Sequence, residues 1–230
     1  LARRTKEEAL ATRHRLIDAA ELLFQAHGVS RTSLQQIAEK AGATRGAVYW
    51  HFKNKADLFN AMMERVTLPL ETAAHEAGKA DLDPLGQIEQ VMVEALRLMT
   101  KDAQVRRVFE VATHKVEYTD EMQSVQQRHL DVRNVCIQDF ERAMRLAARR
   151  ERIQPTIPTA SAALGMHALV SGLIQEWLLD PDAFDLVAAG RQTFGAYLMG
   201  LGFPRPAAVP ADGSATRQEV AKVPLPGAPR

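Results

Sequence analysis

The stretch from Arg31 to Leu58, RTSLQQIAEKAGATRGAVYWHFKNKADL, gathers the side chains best suited to gripping a polyanion. Within it Thr44, Arg45, Gly46, Ala47 and Tyr49 surround a single apolar anchor, Val48. A helix with that face meets the needs of major-groove binding: one apolar row holds it to its own domain, small residues let the backbone approach, and hydrogen-bonding side chains cluster near its start. Ala41-Gly42-Ala43 precedes it, and such a turn needs a residue that tolerates positive φ flanked by small neighbours. The motif therefore reads as a helix-turn-helix.

Charge is distributed accordingly. The whole chain of 230 residues carries a net charge of only +1. Residues 1–55 hold ten Lys/Arg against five Asp/Glu, which leaves 19 against 23 in the remainder. A basic head on a mildly acidic body is the pattern expected when one segment meets nucleic acid.

Helical spacing of apolar residues recurs from Leu16 to about Leu201, with no sustained strand-like alternation, so the expected fold class is all-α. Thr5 and Glu8 have capping-box spacing ahead of the stripe Leu16, Ala20, Leu23, Phe24, which ends at Gly28. Thr32 or Ser33 can cap a second helix that buries Leu34, Ile37, Ala38 and Ala41, and Thr44 a third. Asn54 caps a long fourth helix, for which Pro69 predicts a kink or a break. Body helices are predicted at about 84–100, 103–116, 121–151, 158–180 and 185–202, giving about nine in all. The expected domains are a head (1–53), a helical body (54–203) and a Pro-rich, disordered tail (204–230).

Negative features narrow the function. The motifs G-x-S-x-G, G-x-G-x-x-G and G-x-x-x-x-G-K-[ST] are absent, so an enzyme is not expected. Scattered histidines without H-E-x-x-H or Cys/His spacing predict neither metal nor cofactor. Cys136, the single cysteine, reads as a small core residue in a reducing compartment. The start LARRTKEEAL lacks an apolar signal core, and no segment is expected to reach the roughly 18 apolar residues of a bilayer span. A cytoplasmic protein without a membrane partner follows as the expectation.

The run T-S-L-x-x-I-A-x-x-A-G-x-T-R-G-x-V-Y-W-H-F-x-N-K-x-D-L closely resembles the signature of TetR-type repressors. RRTKEEALATR, TRGAVYWHFKNK, DPLG (Asp83–Gly86), HKVEYTDEM (His114–Met122) and SGLIQEWLLDPDAFDL (Ser171–Leu186) resemble more narrowly the regulators of RND-type multidrug efflux pumps. The resemblance covers about residues 2–203. It implies a homodimeric repressor that binds a pseudo-palindromic double-stranded DNA operator and leaves it when a small-molecule inducer binds. Thr32, Ser33, Tyr49, His51 and Lys55 are implied as phosphate contacts, Thr44 and Arg45 as readers of base edges, and Gly46 as a point of close approach. Arg4, with Arg3 and Lys6, resembles a basic arm. Lys55 stands at a helix start, where the dipole disfavours a cation, so a nearby anion would account for it. Ala43 departs from the larger apolar residue usual there.

Two further sites are expected in the body. Residues 164–179 are apolar on nearly every side, which calls for two packing partners, its own core and a symmetry mate. Ala168, Leu169 and Gly172, with Phe194, Tyr197, Leu198 and Leu201 of the last helix, are the expected dimer interface, placed by the resemblance in an intersubunit four-helix bundle. Polar or adaptable groups on apolar helices suggest an effector pocket for apolar, drug-like molecules. Its expected lining is Met63, Thr67, Val91, Met92, Ala95, Phe109, Thr113, Met166, His167, Val170, Ser171, Ile174 and Gln175. Ser171 and Gln175 are neutral where relatives place charges, which argues against selectivity for cationic drugs. The alternatives are a same-family regulator of another operon and a ligand-independent DNA-binding regulator.

Overall fold

The computed structural model describes residues 6–79 and 83–204. Among these there are nine α-helices and no strand. They are α1 (Lys6–His27), α2 (Leu34–Lys40), α3 (Arg45–His51), α4 (Lys55–Lys79), α5 (Pro84–Lys101), α6 (Ala103–His114), α7 (Gln123–Glu151), α8 (Thr159–Leu179) and α9 (Leu186–Gly200). A single 3-10 turn, Asp120–Met122, leads into α7. The capping partner Thr5, the arm residue Arg4 and tail residues 205–230 lie outside the described residues.

Local chemistry sets the boundaries. Ser33 and Gln36 form a reciprocal capping box at α2: the Gln36 amide donates to Ser33 Oγ (3.2 Å) and the Ser33 amide to Gln36 Oε1 (2.8 Å). Gly42 then takes φ +62° to turn the chain, and Thr44 caps α3 by accepting from the Ala47 amide. At α4 the Asp57 amide donates to Asn54 Oδ1 (2.8 Å), while the Asp57 carboxylate accepts from the Lys53 amide (2.9 Å). Of the kink or break expected at Pro69, the break does not occur, since α4 runs unbroken through it with the proline ring exposed.

The helices bury two apolar cores. The first joins α1, α2, α3 and the first half of α4, with Leu16, Phe24, Ile37, Val48, Phe59 and Met62 almost fully enclosed. It also takes in Val108 and Val111 of α6, Met122 of the 3-10 turn and Val125 of α7, so the head does not close on itself near residue 53. The second core holds α5, the later turns of α7, α8 and α9. Phe194, Leu198 and Leu201 are buried in it, and Tyr197 crosses to α8, its hydroxyl donating to the Ala162 carbonyl (3.0 Å). Phe194, Tyr197 and Leu198 of α9, and Leu201 just beyond it, pack within their own chain, which corrects their expected place in a dimer interface.

By length and a mean hydropathy of 1.2, α8 is the one helix among the described residues that could cross a membrane, contrary to the sequence expectation. It packs on α7 and α9 and leaves Leu164, Ala168, Ser171, Gln175 and Leu179 exposed along one stripe. Gln192, Ala196 and Met199 form a matching exposed row on α9.

Candidate nucleic-acid interface and effector cavity

The outer face of the head carries Ser33, Thr44, Arg45, Gly46 and Tyr49, all exposed. Arg45 is folded along α3, its guanidinium 5.6 Å from the Tyr49 ring centroid and donating to the Tyr49 hydroxyl (3.4 Å). His51 is half-buried, in edge contact with Trp50 at 4.4 Å. Trp50, also on α3, is 72% exposed, and its type alone does not forecast this, since tryptophan is highly buried on average.

Two expected phosphate contacts point inward instead. Lys55 is buried, and its ammonium donates to the carbonyls of Val29 and Thr32 (both 3.2 Å) and pairs with Glu121 at 3.5 Å. The negative partner inferred for this lysine thus exists, but the protein supplies it. Thr32 is buried as well, its hydroxyl donating to the Gly28 carbonyl at 2.8 Å. Lys55 ties the α1–α2 loop to α4 and Thr32 closes that loop on the end of α1, because carbonyls left behind by the turn need donors.

A second buried charge joins head to body. The Glu21 carboxylate, 1% exposed, accepts from Arg65 of α4 and from Gln104 (3.0 Å) and Arg107 (3.3 Å) of α6. Gln25 donates to Glu110 (2.8 Å), and the Val29 amide donates to the Lys115 carbonyl (2.9 Å). Such a network is absent from any sequence periodicity, since it depends on residues more than 40 positions apart.

Between the two cores lies a cavity of about 510 Å³, partly open to solvent. Of the expected lining, Met63, Thr67, Val91, Met92, Ala95, Phe109, His167, Val170, Ser171 and Ile174 do face it. Thr113, Met166 and Gln175 do not: Met166 is sealed in the body core, and Gln175 belongs to the exposed stripe of α8. The expected lining also left out α7, which contributes Arg128, His129, Arg133, Cys136 and Asp139 to the wall. Arg128 bonds Thr67 (3.3 Å) and Glu71 (3.1 Å), and Asp139 accepts from Arg142 (2.7 Å) and meets His75 at 3.0 Å. Burial, followed by the field of Asp139, pushes the Cys136 thiol up to about 11. Asn60 Oδ1, also on the wall, is buried without a hydrogen-bond partner among the described residues.

A helix-turn-helix head on a helical body is the architecture of a DNA-binding transcriptional regulator. Residues 16–62 match the N-terminal model of the bacterial regulatory proteins of the tetR family, and residues 83–203 match the C-terminal region of MAATS-type transcriptional repressors. The chain belongs to the tetR family. It is 40% identical over 188 residues to the HTH-type transcriptional regulator TtgR of Pseudomonas putida, covering 81% of this chain and 90% of the relative. The crystal structure of NalD, the secondary repressor of the MexAB-OprM multidrug efflux pump in Pseudomonas aeruginosa, superposes with a TM-score of 0.78 at 36% identity, covering 85% of this chain and 98% of that one. The complex of SmeT with triclosan, from a repressor of a Stenotrophomonas maltophilia multidrug efflux pump, gives 0.74 at 30% identity and covers 87% and 99%.

Proposed function

We propose that the protein is a cytoplasmic, homodimeric repressor of a multidrug efflux operon, released from its operator by apolar, drug-like molecules. The observation that carries the ligand-sensing half is the position of the cavity. Its wall draws on the head core through Phe59, Val125 and residues packed on that core, and on the body core through Ile88, Met92 and Phe140. A molecule that fits there has to set the spacing of the two cores, and through α4 the pose of the head. An apolar wall with a few polar groups suits a drug-sized ligand, and a donor on that ligand would satisfy Asn60. Relatives named as efflux-pump repressors, one of them solved with triclosan, support the same reading.

DNA is met by α3 and the cap of α2: Arg45 swings off Tyr49 to read a base edge, while Ser33, Tyr49, Trp50 and His51 lie where phosphates pass. The dimer forms on the exposed stripe of α8, with Leu164, Ala168, Leu179 and the small Gly172, joined by the outer row of α9; Leu169 flanks it. Two-fold pairing of heads calls for an operator with pseudo-palindromic half-sites.

The test is titration of planar apolar antimicrobials against the complex of the protein with its own upstream DNA, followed by fluorescence anisotropy, with light scattering on the free protein. Release of the DNA by ligand from a dimer is the expected result. A monomer at micromolar concentration removes the dimer, and binding of DNA that no ligand relieves favours a ligand-independent regulator.

A further inference from the structure

The charges on the cavity wall are not all compensated. Arg128 is neutralised by Glu71, with Glu64 at 3.6 Å, and Asp139 by Arg142. Arg133 is different: its guanidinium bonds only the side-chain carbonyl of its neighbour Asn134 (3.3 and 3.0 Å) and pairs with no carboxylate among the described residues. Asp131, the remaining acid on the wall, is exposed, and its carboxylate accepts from Gln127 (2.8 Å).

Around Arg133 the neighbours are donors. His129 stands one helical turn earlier on α7, and His167 faces the same space from α8. Tyr118, whose ring lies 6.4 Å from that of His129, adds a hydroxyl. Burial first, then the charge of Arg133, holds both imidazoles below their ordinary range, so each presents one N–H at neutral pH. A guanidinium half-removed from water beside apolar walls gains more from a carboxylate than from solvent, since its fork matches both oxygens and the local dielectric is low.

Building on the effector-cavity reading above, we propose that this end of the cavity selects apolar molecules that carry an acidic group. Arg133 pairs with the anion, and His129 and His167 donate to it. The rest of the ligand lies along Val91, Met92 and Val170.

The experiment compares naphthoic acid with naphthamide, two probes of one shape that differ in charge, by calorimetric titration of the full-length protein. Wild type, Arg133→Gln and Arg133→Lys are used, with thermal melting to confirm that each is folded. The expected result is that wild type binds the acid at least tenfold more tightly than the amide. Arg133→Gln abolishes that preference without changing amide affinity, and Arg133→Lys restores part of it. Equal binding of the two probes by wild type, a preference that survives in Arg133→Gln, or no binding of either overturns the proposal. Operator release by neutral apolar compounds, measured in parallel, separates the outcomes: if it persists, the effector cavity stands without acid selectivity, and if it is absent, the cavity reading falls too.

Discussion

Lys55 separates a structural from an electrostatic role, because the two make opposite forecasts for one substitution. In Lys55→Met the aliphatic stem is largely kept, but the carbonyl of Thr32 loses its donor, that of Val29 loses one of two, and Glu121 loses its partner. Glu121 is exposed on the far side of that pair, so its contribution is small. The carbonyl bonds are charge-assisted and buried, and losing them costs about 2–4 kcal/mol after allowing for the regained apolar packing. For a domain of this size that corresponds to a fall in Tm of roughly 5–12 °C. The assay is differential scanning fluorimetry alongside operator titrations at several salt concentrations. Lost stability with the log–log salt slope unchanged is the expected pair of results. If Tm holds while the slope drops by about one, the ammonium leaves its buried seat to meet a phosphate, and the structural argument is refuted.

Three further outcomes follow from other parts of the molecule. Glu21→Gln takes the carboxylate from Arg107 and from Arg65, which keeps Asp18 as a partner (2.7 Å), and should cost about 2–3 kcal/mol in chemical denaturation, whereas an unchanged midpoint would mean that the network is solvated. Arg45→Ala should lose roughly 1–3 kcal/mol at one operator base pair and relax specificity there, measured by competition with single-base variants; a loss spread evenly over all sequences would assign Arg45 to the backbone. Cys136, with its thiol raised to about 11, should react with a disulfide reagent at pH 8 roughly a hundredfold more slowly than a free thiol, and its rate should keep rising with pH well above the ordinary thiol range; a plateau near pH 9 would contradict the burial argument.

The helices were legible because each carries its own punctuation. Ser33, Thr44 and Asn54 accept from amides of the first turn, as their types and positions forecast, and Asp83 does the same ahead of α5. The face of α3 was legible for a related reason: small and polar residues around one anchor leave little else to bury. What eluded the sequence was long-range chemistry. Lys55, Thr32 and Glu21 are polar residues inside, and only the tertiary partners tens of residues away make their burial tolerable. The cavity wall shows the same limit. Residues on α5 and α8 were found because a polar group on an apolar helix stands out, whereas α7 is charged along much of its length and nothing local distinguishes Arg133 or Asp139 from a solvated arginine or aspartate. In α9 the apolar residues were assigned to a partner that the chain itself provides, since Phe194 and Leu198 fill the body core.

The two cores also decide how a ligand could act at a distance. The head core extends to Val108, Val111, Met122 and Val125, and Glu21, Gln25 and Lys55 bind the same elements through polar bonds, so α1–α3, α6 and the 3-10 turn form one packed unit. The seam to the second unit runs across α4 between Met62 and Ala77, and the cavity opens along it with Met63 and Thr67 on the seam itself. Cores packed to crystal density slide or tilt as bodies rather than deform, which gives occupancy of the seam two discrete arrangements to choose between. A ligand shifts that choice only by its differential affinity. A hundredfold loss of operator affinity therefore requires a coupling of about 2.7 kcal/mol, and linkage demands that operator weaken the ligand by the same factor. Measuring ligand affinity with and without saturating operator, and operator affinity with and without saturating ligand, tests this directly: the two ratios must agree. Ligand weakening that grows without limit as operator is raised would mean direct competition at the DNA face, and release without any reciprocal weakening would mean that the molecule acts on the DNA rather than on the protein; in either case the seam would have no part in the response.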